Sequence, residues 1–547
     1  IILNFAQISL MKKIIFLLII SLGLVSCARM GSPDGGKKDS LAPKFLFSNI
    51  DSTRINVPRD IKELRLYFDE YVKLKDVSKN LIISPDIKYK KIIPSNLANK
   101  YVLIQWADSL KANTTYNFNF GNSIVDNNEG NVLPYFNFAF STGDKIDDTF
   151  ISGTVDDAMV LKKKNETAKD NKYVVGLYPV IDGKTDFKQK PSYMSKVDEE
   201  NYFELNYLQK GDYIIIAFED ENQNSVYDAG KEKVGFLKER ITVADNVKGV
   251  KLKLYPSKKS FKFVESKPVF GGAILAFEGK PENLEIKSIS PQLTDYKIEH
   301  KSKSDTVNIW FNAAQNKFDE KASTQLDFSF DTPQKKDTVR VYYKSVKDEF
   351  KVENKGGNLL VPSQDFKITA NLPLSSINTK DWKLESDSVA VNFTAKISEK
   401  NPYEILVSAD FKPSKKYSFT VLKGTVNSYF EGLAKSYKFE FEADKPENYG
   451  SFVIKKLINK PKSKFWIELL NDKYDVIYSK YTNDESISFT NLKPGTYIAR
   501  IKVDENENGV WDESDFANNI MAEPVYIFDK QIDVRPLWTI EEDWELK

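Results

Sequence analysis

The chain has 547 residues, with 79 basic against 78 acidic side chains, one histidine and one cysteine. This balance provides no long-range field for nucleic acid or an anionic bilayer. A lone histidine excludes His-centred triads and histidine-bearing metalloprotease motifs, and a lone cysteine has no disulfide partner. At ~100–150 residues per domain, the length requires four or five cores, and abundant Phe and Tyr with scarce helical periodicity give them the profile of β-sandwiches.

Residues 1–10 precede Met11 and read as upstream non-coding sequence. From Met11, the basic pair Lys12-Lys13 leads into an apolar run over 14–24 and then Val25-Ser26-Cys27. A charged start, a short apolar run and a small residue before cysteine resemble the lipobox of a bacterial lipoprotein signal. The resemblance implies a signal peptide over 11–26 and a lipid joined covalently to Cys27, which becomes the first residue. No later stretch approaches ~20 apolar residues, so lipid is the only membrane attachment expected.

Residues 27–43 form a tether rich in Gly, Pro and charge, which cannot bury enough surface to fold. Gly31-Ser32-Pro33, Gly35-Gly36-Lys37-Lys38-Asp39 and Ala42-Pro43 make this opening resemble lipoproteins of Bacteroidota that carry Ig-like domains. Surface-exported members carry acidic residues just after the cysteine, where this chain has Arg29, with Asp34 and Asp39 further on. The resemblance implies the outer membrane. It favours surface exposure and leaves the periplasmic face open.

Over 44–147, short strands alternate apolar and polar residues, as in 63–69, 101–106 and 116–120. The segments at 110–116, 124–131 and 138–143 resemble the bacterial Ig-like domain of S-layer and envelope proteins. The pattern changes over 148–255, where 151–155, 173–178 and 211–218 resemble the Cna-B-like or prealbumin-like sandwiches that serve as spacers in surface proteins.

The loop running from Asp220 to Asp228 returns from Asp504 to Asp512, and the same offset of 284 takes Leu208 to Leu492, Gly211 to Gly495 and Tyr213 to Tyr497. The sandwich is therefore duplicated over 447–547, where it ends in a C-terminal tail. An offset of 301 takes Tyr116, Phe118, Phe138 and Phe140 to Tyr417, Phe419, Phe439 and Phe441, marking a second Ig-like domain over 365–446. The alternating strands at 306–311 and 338–343 make 256–364 a middle β-sandwich. The expected fold class is all-β: tandem Ig-like and Cna-B-like sandwiches after a cleaved lipoprotein signal.

Few residues offer chemistry. Asp504, Asn506, Asn508 and Asp512 fall at positions 1, 3, 5 and 9 of an EF-hand-like count, with Gly509 at 6, the Val510 carbonyl at 7 and Asp515 at 12. Oxygen ligands at that spacing suit a hard cation, here a structural Ca2+; the alternative is a hydrated hairpin whose Asx side chains cap their own backbone. The earlier loop offers Asp220, Asn222, Asn224 and Asp228, with Ser225 in place of the glycine, Lys231 at position 12 and Glu232 one residue late.

His300 lies between charged neighbours and reads as surface. Trp106, Trp310 and Trp382 sit in alternating strands and read as core, whereas Trp538 and Trp544 near the terminus read as available to a partner. No acid–base pair or phosphate loop is singled out, so no catalytic residue is expected and the chain does not read as an enzyme. The reading is a lipid-anchored scaffold or accessory subunit of an envelope machine for barrel assembly, secretion or uptake, with other envelope proteins as partners. A glycan-binding or adhesive surface lipoprotein is the alternative.

Overall fold

A computed structural model describes residues 39–161, 172–280, 283–300, 304–319, 321–333 and 335–547. The signal region and the acylation site expected at Cys27 lie outside the described residues. Among those described, no helix is long and apolar enough to cross a membrane. The chain divides into two compact units, one ending at Ile146 and a larger one from Asp147 to Lys547 that also takes in Ile83–Asp86.

The smaller unit is a sandwich. One sheet places Phe45–Ser48, Glu63–Leu74, Asn99–Trp106 and Tyr89–Ile93 side by side, and the other is built on the antiparallel pair Thr115–Gly121 and Phe136–Ser141. Alternation sends Leu64, Leu66, Phe68, Val102, Ile104, Phe118, Phe120, Phe138 and Phe140 inward, each at most 2% exposed, and turns polar residues such as Glu63, Arg65, Asn117, Asn119 and Asn137 the other way. Tyr116 fixes a corner by accepting the Lys111 N–H on its hydroxyl at 2.8 Å. The second Ig-like sandwich repeats that bond 301 residues later, Lys412 to Tyr417 at 2.7 Å.

Within the larger unit the two Cna-B-like sandwiches have one topology. In the first, Thr149–Asp157 lies between antiparallel Tyr202–Leu208 and parallel Val247–Leu254; in the second, Gly450–Ile458 lies between antiparallel Ile487–Leu492 and parallel Thr539–Glu545. The facing sheets run Tyr193–Lys196, Tyr173–Pro179, Gly211–Glu219, Val234–Phe236 and Val476–Thr482, Phe465–Leu470, Gly495–Val503, Val525–Val534. Tyr213 donates to the Gln209 carbonyl and Tyr497 to that of Lys493, both at 2.7 Å.

The middle sandwich packs Lys262–Val269, Gly272–Glu278, Thr306–Trp310 and Lys297–His300 against Glu285–Ser290, Thr324–Asp331 and Lys336–Tyr343. Its core includes Leu275, Val307, Ile309, Phe328 and Val341. The stretch 350–364, expected with this sandwich, folds with its successor. Val352–Glu353 pairs with Phe366–Ala370, Leu359–Leu360 pairs with Tyr437–Ala443, and Phe350 and Val352 enter the core of the second Ig-like sandwich beside Trp382 and Phe419.

The expected C-terminal tail is also corrected. Thr539–Glu545 is the closing strand of the last sandwich, Trp544 is 4% exposed within its core, and its ring meets Phe528 at 5.2 Å. A large ring alternating with acidic residues along a strand is a core position, so Trp544 is not displayed to a partner.

Candidate functional site

The duplicated acidic loops are elaborate polar sites, and each follows the strand that carries that copy's own corner tyrosine, Tyr213 or Tyr497. In the later loop Asp504 is fully buried. Its Oδ1 accepts the Asn508 N–H at 3.0 Å, and its Oδ2 accepts the Gly509 N–H at 2.9 Å and the Tyr481 hydroxyl at 2.6 Å. The phenol is accordingly pushed up to about 12, first by that hydrogen bond and then by burial. Asn506 Oδ1 accepts the Asn508 N–H and Asn508 Oδ1 accepts the Val510 N–H, so each Asx residue turns the chain after itself. Both amides donate to Asp512 Oδ2, at 2.8 and 2.7 Å.

The earlier loop reproduces this geometry. Asp220 accepts the Asn224 and Ser225 N–H groups at 3.0 and 3.1 Å, Asn222 Oδ1 accepts the Asn224 N–H at 2.9 Å, and Asn222 donates to Asp228 Oδ2 at 2.5 Å. The sixth residue of each loop is left-handed, Gly509 at φ +79° and Ser225 at φ +62°, and glycine adopts that conformation without a Cβ penalty.

Counting twelve residues misplaces the closing acid. Asp515 lies beyond the Asp504–Asp512 turn, where it caps the short turn Phe516–Asn518 by accepting the Asn518 N–H. The acid beneath the loop is Glu523, whose Oε1 accepts the Glu505 N–H at 2.7 Å and whose Oε2 accepts the Asp512 N–H at 2.8 Å. Glu232 does the same in the first copy, taking the Glu221 and Asp228 N–H groups at 3.0 and 2.9 Å. Burial pushes both carboxyls above their ordinary range, against the pull of those N–H donors. The signal for Glu523 lies in the repeat: Glu232 stands two residues before Val234, and Glu523 two before Val525, each valine opening the next strand.

Among the described residues no three His, Cys, Asp or Glu side chains gather as a metal-binding group. Asp504, Asn506, Asn508 and Asp512 converge, as do Asp220, Asn222, Asn224 and Asp228, but half of each set is amide.

Of the tryptophans, Trp106, Trp310 and Trp382 are buried, and only Trp538 of the two expected at a partner surface is outward. It lies on the tight turn before the closing strand, where its N–H donates to the Arg535 carbonyl at 3.2 Å and Leu537 is left-handed at φ +64°. Leu537 and Trp538 are 72% and 59% exposed, and the Arg535 guanidinium lies over the indole at 5.3 Å. His300 is half-buried, with Nε2 3.0 Å from the Ser304 carbonyl oxygen.

Residues 39–142 match the family described as bacterial Ig-like domain. No curated protein matches the chain. The S-layer protein rSbsC is similar in structure at 10% identity, over 74% of this chain and 67% of that one, with a TM-score of 0.18. BcpA, the major pilin subunit of Bacillus cereus, is similar at 10% identity over 73% of this chain and 99% of its own, with a TM-score of 0.13. An I-band fragment of titin is similar at 12% identity over 52% and 99%, with a TM-score of 0.12.

Proposed function

We propose that this chain of β-sandwiches is a lipid-anchored scaffold of the bacterial outer membrane, held by an acyl chain on Cys27 and serving as an accessory subunit for other envelope proteins. The observation that carries the contact role is the Leu537–Trp538 turn. Two large apolar side chains stand in solvent on a turn tied into the sandwich, because the Leu537 N–H donates to the Tyr449 carbonyl and the Ser451 N–H to that of Trp538, each at 2.8 Å. Tryptophan and arginine are the residues enriched where a small part of an interface supplies most of its affinity, and a turn already fixed loses little freedom on binding. No catalytic residue is assigned.

Purification from detergent-solubilised membranes tests the reading. A partner recovered in fixed ratio with the parent chain, and lost with Leu537→Ser plus Trp538→Ser, supports it. Retention on a glycan array with no protein partner would replace it with the adhesive reading. Cys27→Ser should leave unprocessed precursor without acyl label; normal labelling overturns the anchor.

The acidic loops are proposed as structural calcium sites that stiffen the two sandwiches. Asp512 Oδ2 accepts the amide hydrogens of Asn506 and Asn508; a hard cation would take their place and draw on the oxygens of the same side chains. Free calcium at ~100 times the dissociation constant would add about 2.7 kcal/mol. The melting temperature of the mature chain should rise with calcium, fall with chelator, and lose the later site's share in Asp512→Asn. A melting curve indifferent to millimolar calcium and chelator makes both loops self-capped hairpins.

A further inference from the structure

The second acidic loop is longer than the first, and the extra length does something the first copy cannot. Between Glu219 and Val234 lie 14 residues (220–233); between Val503 and Val525 lie 21 (504–524). The two loops agree as far as Asp228 and Asp512, and agree again at Glu232 and Glu523, so the seven additional residues fall between those points. They carry no part of the sandwich core.

What they touch is the first copy. Ser514 exchanges backbone hydrogen bonds with the linker that leaves it, donating to the Pro256 carbonyl at 3.1 Å and accepting the Lys258 N–H at 2.8 Å. Asp515 pairs with Lys258 at 3.4 Å, and Asn519 donates to the Lys238 carbonyl at 3.3 Å. Between these ties, Phe516 enters an aromatic recess, with its ring 4.7 Å from Phe187, 5.0 Å from Phe236 and 5.7 Å from Tyr227. On either side of the insertion, Trp511, Ala522 and Val525 pack with Tyr255.

The recess needs a cover. The sheet beneath Phe516 is apolar on both faces: Val175, Leu177, Ile215 and Ala217 face the first copy's own core, while Val174, Tyr178, Ile216, Phe218 and Phe236 face the other way, toward Phe516. A sheet with one wet face alternates cleanly, and one covered on both sides reads as a continuous apolar run, as Tyr213–Phe218 does. Of the remaining neighbours, the first and middle sandwiches follow each other through the short linker between Leu254 and Lys262, and the other two pairs touch. Trp310 meets Tyr403 at 6.2 Å across the middle and second Ig-like sandwiches, and Asn491 donates to the Pro362 carbonyl at 2.9 Å across the second Ig-like and last ones.

We propose that the seven-residue insertion is an intramolecular clasp. It binds the last sandwich to the first, closes the four sandwiches of the larger unit into a ring, and covers an apolar sheet face that the first copy would otherwise present bare. Release would let the sandwiches separate as a string and open that face, and the segment can be removed without touching either core.

The test uses the chain from residue 28 onward, without lipid, in two variants: one lacking residues 514–520, which restores the loop length of the first copy, and Phe516→Asp. Small-angle X-ray scattering of either should show the longest intramolecular distance shifted upward, with the far-UV circular dichroism of the parent retained and binding of an apolar dye increased. Scattering curves that superpose on the parent's, in variants that keep its circular dichroism, overturn the clasp. So does a parent chain already extended in solution. If the deletion disturbs folding, Phe516→Asp, which alters one side chain outside both cores, decides.

Discussion

The two Cna-B-like sandwiches share strand order, corner tyrosine and acidic loop, yet they differ on the outer face of one sheet. In the first copy that face presents Val174, Gly176, Tyr178, Ile216 and Phe218. The equivalent residues of the second are Trp466, Glu468, Leu470, Arg500 and Lys502. Glu468 and Arg500 stand where the first copy has Gly176 and Ile216, and they form a buried pair at 2.6 Å. Lys502 is held below its ordinary range by burial first and by Arg500 next. Duplication preserved what builds each sandwich, the inward residues and the turns. It left free what each sandwich meets outside, so one copy evolved a greasy seat and the other an ion pair.

Removing one partner of that pair should have the largest effect. Glu468→Ala leaves Arg500 buried and unpaired and should cost about 3–5 kcal/mol, read as a lowered calorimetric transition, whereas the apolar pair Glu468→Leu with Arg500→Ile should cost less than the single change. A double variant as damaged as the single one would mean that the face tolerates no apolar seat. Next comes Trp544, which occupies the closing-strand position that Leu252 holds in the first copy. Trp544→Ala should cost about 3–5 kcal/mol and Trp544→Leu less, while exposed Trp538→Ala should stay within about 0.5 kcal/mol. Equal melting temperatures for the Trp544 and Trp538 alanine variants would contradict the burial described for the first.

In the first copy, a Cβ on Gly176 would lie 2.3 Å from Pro191 Cγ. Gly176→Ala should therefore cost about 1–3 kcal/mol, although its counterpart in the second copy is a full glutamate. The smallest change sharpens the loops. Ser225→Gly relieves a left-handed serine and Gly509→Ser creates one, so the first should gain and the second lose up to about 1 kcal/mol. Denaturation midpoints that move in the same direction for both would show that the two loops are not equivalent.

Much of this was legible in the chain. Period-two alternation located the strands, as in Tyr116–Phe120 and Phe138–Phe140, because one wet face and one dry face leave that trace. The offset of 284 located the duplication because turn and corner residues cannot drift. It could not locate Glu523, since the offset holds to Asp512 and has grown by seven at Val525, where a fixed count lands on Asp515. Trp544 was misread for a related reason. Its neighbours are acidic and near the terminus, and only the partner strand Gly450–Ile458, some ninety residues earlier, makes it interior. Leu360 is paired across a similar distance, with Ala443, and Val352 across a shorter one, with Ala370, and no local pattern announces either pairing.

The parallel pairing that closes each Cna-B-like copy has a mechanical meaning. First and last strands are neighbours running the same way, Thr149–Asp157 with Val247–Leu254 and Gly450–Ile458 with Thr539–Glu545. The polypeptide therefore comes in at one pole of the sandwich and goes out at the other, and tension along it slides these two strands past each other lengthwise. The evenly spaced bonds of a parallel ladder then share the load and fail together, instead of parting one after another as in an unzipping hairpin. Pulled from its ends, each of these copies should outlast the middle sandwich, whose first and last strands lie in different sheets. Single-molecule unfolding in which the two copies give way before the middle sandwich would refute that ranking.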